Sequence, residues 1–343
     1  MNFIDSMEGN NWSEDPLRFC EFSKIYDLIK EFPGPSGPDL DYLYRNKNSK
    51  TFDFDILFGA GAANNPWPDP KKRKYWKPKR KNILLDYECT AGWDNWENDF
   101  NKILHICPYT ADWRNKILKT EKYKFVYFPI SPRFFPTDIT RTFEKRYDVI
   151  YSGHFNSMEM DKELILPMKN FNYVTVSRKD CSLTGVHTTH KGVSYKEKMM
   201  LYGLSKVSII HNAYWNVSGL HRDQFANSKN WKKNFAFSEI ISNNPNVGTR
   251  MVPQLKSRTF EAAAGRSLML VRKDSFNIIE HFFKEGEDFI YFEKGELNSK
   301  LSHILENYCD YIDIINSAYY KVRNKYTTLN FFKDFIVPFA KEK

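Results

Sequence analysis

The chain has 343 residues, 41% hydrophobic and 27% charged, with 51 Lys and Arg against 42 Asp and Glu for a formal charge of +9. That length suits about two domains, each able to bury a core, and the balance excludes a disordered chain. The positive charge suits a polyanion, an anionic membrane surface or a phosphorylated small molecule, and selects none of them.

Cys20, Cys89, Cys107, Cys181 and Cys309 are scattered, odd in number and form no CxxC pair. They argue against a disulfide framework or a zinc site and fit a reducing compartment. Residues Met1 to Asp5 carry no basic segment leading into an apolar one, and no apolar run approaches the ~20 residues that cross a bilayer. The expectation is a cytoplasmic protein, at most peripheral to a membrane.

In chain order, residues 1–50 read as irregular, with the breakers of Phe32 to Pro38 forming a loop. Strands are predicted over 52–58, 82–86, 102–106 and 125–129, and a helix over 110–120. Between the first two strands, Pro66 to Lys81 reads as a long loop rich in Pro, Trp and Lys. The Pro-rich stretch Pro129 to Pro136 and the charged run Arg141 to Arg146 mark a domain boundary. Beyond it, strands over 147–151, 171–176, 206–210, 267–271 and 288–292 alternate with helices over 158–168, 195–203, 257–264, 276–283 and 296–308. Such alternation implies mostly parallel, doubly wound sheets. The expected organisation is an N-terminal Rossmann-like domain over 1–140 and a C-terminal domain over 141–325. A C-terminal helix over 326–343 would pack back on the first domain. In open parallel sheets ligands bind beyond the carboxyl ends of the strands, so the turns after strands are the candidate site positions.

The most informative stretch is Pro253 to Leu270, which reads PQLKSRTFEAAAGRSLML. Ser257 is a suitable N-cap, with Lys256 and Arg258 on either side. Backbone N–H groups and the positive end of the helix dipole meet there, a setting suited to a diphosphate. Arg258 adds a fork for phosphate oxygens. Glu261 lies one turn on, and its carboxylate can accept both hydroxyls of a ribose. The plainer reading makes Arg258 and Glu261 a surface ion pair and the alanines core.

This stretch resembles the C-terminal domain of group-1 glycosyltransferases, in the branch containing the spore-maturation CgeB-like proteins. The similarity extends to Tyr147–Gly153, which looks like the first strand and glycine loop of a donor domain. It also takes in Tyr202–Asn212, Phe276–Phe283 and Gly286–Phe292, and so spans most of residues 144–310. The resemblance implies the GT-B fold, two Rossmann-like domains facing a central cleft, and a nucleotide-sugar donor in the C-terminal half. It places Glu261 on the ribose, and it implies transfer of a sugar to a hydroxyl acceptor, as in glycan or surface polysaccharide synthesis, without a metal or other cofactor. In the family's retaining pattern a first Glu stands eight positions before the second; here that position is Pro253, which leaves retention and inversion both open.

The donor-binding candidates are thus Gly153, Asn212, Lys256, Ser257, Arg258 and Glu261. His154, after a strand, is placed on phosphate or sugar; an ordinary turn is its alternative. Asn212 ends a strand, where Asn is also a common turn former. On the N-terminal side, Asp86 and Glu88 follow the second strand and, with His154, are the candidates for deprotonating the acceptor. Gly59, Gly61 and Asp94 are the acceptor-side candidates; the Gly59–Asn64 loop lacks the third glycine of a dinucleotide motif. Asp53 and Asp55 imitate a DxD metal motif but fall on a strand. His187 and His190 lack a third metal ligand. The run Lys71–Lys81, with Tyr75 and Trp76 inside it, is a solvated loop, a contact for an anionic glycan or membrane, or a nucleic-acid clamp. The last option keeps a nucleic-acid-binding protein or a DNA-base-modifying glycosyltransferase as the alternative function. An epimerase acting on nucleotide sugars is a third.

Overall fold

The computed structural model describes residues 2–5, 54–59, 81–86, 101–105, 111–112, 115, 119–130, 134–135, 144–153, 155, 161–177, 185–215, 251–253, 255–274, 277–336 and 338–339. By internal contacts the chain forms two compact units. The first takes Met1–Tyr127, Gly219–Pro245 and Thr328–Lys343, and the second Phe128–Ser218 and Asn246–Thr327.

The first unit holds strands β1 (Asn2–Asp5), β2 (Phe54–Gly59), β3 (Lys81–Asp86), β4 (Lys102–His105) and β5 (Tyr123–Phe125), parallel neighbours in that order. β1 corrects the expectation of an irregular first segment: four residues with polar ends, NFID, give little period-two signal, and pairing with β2 supplies what propensity does not. Ile103 and Leu104 of β4 are buried, as runs covered on both faces must be. The side chain of Asn115 completes the backbone pairing of β5, donating to the Tyr123 carbonyl at 2.7 Å and accepting its N–H at 3.0 Å. The last turns of the chain rest on the same unit. Phe331 meets Tyr127 edge-on at 5.5 Å, and Lys124 lies over Phe335 at 5.2 Å.

The second unit is built on strands β6 (Tyr147–Ser152), β7 (Tyr173–Ser177), β8 (His190–Lys191), β9 (Ser205–Ile210), β12 (Leu268–Arg272) and β13 (Ile290–Phe292); β10 (Ala213–Trp215) and β11 (Met251–Pro253) form a separate antiparallel pair. The main sheet is parallel throughout, in the order β8-β7-β6-β9-β12-β13. The order therefore reverses between β6 and β9, the switch point of a doubly wound sheet. The parallel α/β expectation holds in both units. β6, β9 and β12 are buried almost end to end, and Val149, Val207, Leu268 and Phe292 sit in one core cluster.

Helix α1 (Tyr195–Gly203) begins where the Ser194 hydroxyl accepts the Glu197 N–H at 3.1 Å. Helix α2 (Ser257–Ala264) buries Ala262, Ala263 and Ala264, and Gly265 behind them lets α1 approach: a Cβ on Gly265 would stand 2.5 Å from the Tyr202 Cβ. Lys145 ties the two helix ends together by donating to the carbonyls of Gly203, Ser205 and Arg266 at 2.9, 3.1 and 2.7 Å. Burial and the neighbouring Arg266 pull its amine down to about 7, against three carbonyls that favour the ammonium. Helices α3 (Leu297–Glu306) and α4 (Ile312–Lys325) follow β13, and α4 packs on α2. A short α5 (Thr328–Phe331) leads into a π turn over Phe332–Ile336.

Two of the expected helices and one expected cap differ. The 158–168 helix is a π turn over Asp161–Ile165 and a 3-10 turn over Leu166–Asn170, because Pro167 has no N–H to continue the α pattern. The 276–283 helix is one 3-10 turn, Ile278–His281, entered through a left-handed Asn277 at φ 47°. The N-cap of α2 is Lys256, extended at φ −109° and without a side-chain cap, so Ser257 is the first helical residue and not its cap.

Candidate functional site

The carboxyl ends of β6 and β9 flank the switch point, and the start of α2 meets them there. Ser152 ends β6, and Gly153 extends the pairing by donating its N–H to the Val176 carbonyl at 2.9 Å. Its φ of 153° lies outside the range other residues favour, and the Arg258 guanidinium fills the space a side chain would need. A Cβ at Gly153 would lie 2.7 Å from Arg258 Cζ and 2.8 Å from Nη1. Arg258 is thus laid directly over the glycine turn.

What holds the guanidinium is an aromatic stack. The Tyr151 ring lies under Arg258 Cζ at 5.1 Å, with the His211 ring at 12° to its plane and the Phe155 ring at 25°, centroids 6.3 and 5.9 Å away. Arg258 Nη1 donates to His211 Nε2 at 3.2 Å, and the Tyr151 hydroxyl lies 3.3 Å from the same nitrogen. Tyr151 and His211 are both buried.

Asn212 anchors the start of α2. Its Oδ1 accepts the Lys256 N–H and the Thr259 hydroxyl, each at 3.0 Å, fastening the start of α2 to the end of β9. Its Nδ2 is buried without a protein acceptor among the described residues. Lys256 is part-exposed at the helix start, where the first amides of α2 have no acceptor within the helix.

Glu261 is 1% exposed, and Lys198 of α1 approaches its Oε2 at 2.6 Å. A carboxylate so buried is not half of a surface pair with Arg258, which corrects that reading. Tyr202 lies in the same pocket; burial first, and then the Glu261 carboxylate, raise its phenol above the ordinary value, while Arg258 works the other way. Its hydroxyl stays protonated and polar at neutral pH.

The structure therefore brings Gly153, Asn212, Lys256, Ser257, Arg258 and Glu261 to one corner of the second unit. Tyr151, Lys198, Tyr202 and His211 join them; Tyr151, Tyr202 and His211 fall inside the segments that carry the family resemblance, but with no role of their own there, and Lys198 falls outside them. Tyr195, Lys198 and Tyr202 stand at helical spacing along α1, the one signal that marks that face. In the first unit, Gly59 and Asp86 are register partners at the carboxyl edge of β2 and β3. His154, Glu88, Gly61, Asp94 and Asp53 lie outside the described residues, as does the basic run apart from Lys81. Asp55 is a mid-ladder residue of β2. The segment carrying His187 and His190 is held by Thr175 and Thr189, which exchange hydrogen bonds of 2.9 and 3.0 Å and align β8 with β7. Among the described residues no group of three His, Cys, Asp or Glu is placed to share a metal, and no helix is long and apolar enough to cross a membrane.

No family model matches the chain, and no curated protein sequence matches it significantly. Solved structures do match. A glycosyltransferase from Rickettsia africae superposes with a TM-score of 0.57 at 11% identity, over 99% of this chain and 98% of that one. Anabaena Alr3699/HepE in complex with UDP gives 0.55 at 9%, over 99% of both. A TarM mutant of S. aureus, bound to fondaparinux, α-GlcNAc-glycerol and UDP, gives 0.51 at 9%; 84% of this chain matches it and spans 55% of TarM. The fold is that of the GT-B glycosyltransferases.

Proposed function

We propose that the chain is a glycosyltransferase whose second unit binds a nucleoside-diphosphate sugar at the switch point between β6 and β9. The observation that carries this reading is Arg258, held over Gly153 by Tyr151 and His211 at the start of α2. It places a forked cation, the positive end of a helix and Lys256 where a doubly wound sheet receives a diphosphate. The UDP bound to HepE and to TarM in their structures makes uridine diphosphate the first nucleotide to test.

In this mechanism the bond from the anomeric carbon to the diphosphate oxygen breaks, and the nucleoside diphosphate leaves with the bonding electrons. Arg258, Lys256 and the positive end of α2 offset the charge that develops there. An acceptor hydroxyl supplies the new bond, and its proton passes to a base; Asp86, Glu88 and His154 are the candidates. Glu261 receives the ribose, in the manner the CgeB-like resemblance implies, once Lys198 gives way. These positive groups serve where other transferases use a divalent cation, so transfer proceeds with chelator present. The acceptor is a glycan or another hydroxyl compound.

The test is release of UDP from UDP-glucose and related donors, assayed with and without candidate acceptors and with EDTA. Acceptor-dependent release that survives chelation supports the reading. Absence of release from every uridine, guanosine and adenosine diphosphate sugar, with no nucleotide binding by calorimetry, would overturn it.

A further inference from the structure

We propose that His211 is the positioning residue for Arg258, acting as a neutral imidazole that carries its proton on Nδ1 and offers the Nε2 lone pair to the guanidinium. The assignment follows from donor inventory. A guanidinium has five N–H donors and no acceptor, and it stays protonated in proteins. At 3.2 Å from Arg258 Nη1, His211 Nε2 must therefore be the acceptor. An Nε2–H tautomer would set two donors against each other. The Tyr151 hydroxyl, 3.3 Å from the same nitrogen, is then also limited to donating. One lone pair thus gathers the tip of Arg258 and the phenol of Tyr151.

The surroundings reinforce this state. His211 is 4% exposed and Tyr151 is fully buried, so a charged ring would lose its hydration. An imidazolium would also stand within contact distance of the guanidinium charge. The parallel stacking of Tyr151 on His211 fixes the ring plane, and with it the direction of the Nε2 lone pair. Arg258 is thereby held from two sides, by the face of Tyr151 below and by the nitrogen of His211 at its end. A long side chain that would otherwise sample several rotamers is pre-set over Gly153, so less freedom is lost when an anion binds. That consequence for binding rests on the donor-site reading above; the hydrogen bond and the tautomer do not.

Two measurements test it. The first is nitrogen-detected NMR of the full chain labelled at histidine, at neutral pH and without nucleotide. The expected spectrum shows His211 with Nε2 unprotonated and Nδ1 protonated, and the bias weakens in Arg258→Ala. A protonated Nε2 in the wild type overturns the proposal. The second is calorimetric titration of UDP into His211→Gln and His211→Leu. Gln carries a carbonyl oxygen near the place of Nε2 and keeps an acceptor for Arg258, whereas Leu does not. His211→Leu should weaken UDP binding about tenfold, the scale of one hydrogen bond to a charged group, while His211→Gln stays close to wild type. Equal weakening by both variants, with Arg258→Ala weaker still, would reduce His211 to packing and overturn the positioning role. Wild-type UDP affinity in Arg258→Ala, with the Nδ1–H tautomer observed, would instead remove the donor-site reading and leave the His211–Arg258 link standing. Because the tautomer is read on the wild type, a variant that fails to fold does not block the test.

Discussion

Gly153→Ala is the most informative single change, because it perturbs the site by one carbon. The added Cβ would lie 2.7 Å from Arg258 Cζ, whereas carbon atoms rest at about 3.5–4.0 Å. The guanidinium must therefore retreat by roughly 1 Å. The Arg258 hydrogen bond to His211 begins at 3.2 Å, so a retreat of that size carries it beyond hydrogen-bonding range. Losing a hydrogen bond of this charged kind costs about 1.5–3 kcal/mol, or roughly a tenfold to hundredfold loss in UDP affinity. The guanidinium is the free end of a flexible side chain, so it moves without disrupting the core; the stability cost comes from placing alanine at a φ of 153° and is about 1–3 kcal/mol. Calorimetric titration with UDP reads the first quantity and urea unfolding the second. Undiminished UDP affinity in a folded Gly153→Ala protein would refute the view that Arg258 works from its seat on Gly153.

Gly265→Ala should lower stability by about 1–3 kcal/mol through overpacking, since its Cβ would meet Tyr202 Cβ at 2.5 Å; urea unfolding reads it, and an unchanged midpoint would mean α1 and α2 are not in close contact. Lys198→Met removes the ammonium beside the buried Glu261 carboxylate and should lower stability by about 1–3 kcal/mol, with Glu261→Gln in the same chain recovering much of the loss; no recovery would show that the Lys198–Glu261 pair is not the cause. Lys145 gives a pH signature. Its folded amine is lowered from 10.5 to about 7, so between those values the unfolded chain binds one more proton and stability rises with pH. Measured against Lys145→Met, the wild type should gain stability from about pH 7 towards pH 10.5 and stay level below pH 7; a flat difference throughout would mean the three carbonyls hold the ammonium.

The sequence made some of this visible for physical reasons. Ser194 and Glu197 announce α1 locally, and an alanine run ending in Gly265 announces α2, so both bounds were legible. Gly153 and Asn212 were chosen because ligands gather at strand ends, and the strands they follow, β6 and β9, flank the switch point. Pairings between distant segments left no local mark. Glu261 stands one turn from Arg258, which suggested a pair along α2; its partner is Lys198, on a helix that reaches it only when the sheet is assembled. The bond from Arg258 to His211 likewise joins α2 to the end of β9. The β10–β11 pair joins segments far apart in the chain, with nothing in either three-residue strand to point to the other. Lys256, anchored through its N–H to Asn212, takes the N-cap position, so Ser257 does not fill the role its chemistry suggested.

Whether a nucleoside diphosphate sits beneath Arg258 at the β6–β9 switch point is decided by titrating UDP into the wild-type chain and into Arg258→Ala under one set of conditions. The wild type should bind saturably and the variant about tenfold or more weakly, with both proteins unfolding at similar urea concentrations. Equal affinities, or saturable binding of UDP undisturbed by every change at Gly153, His211 and Arg258, would contradict it.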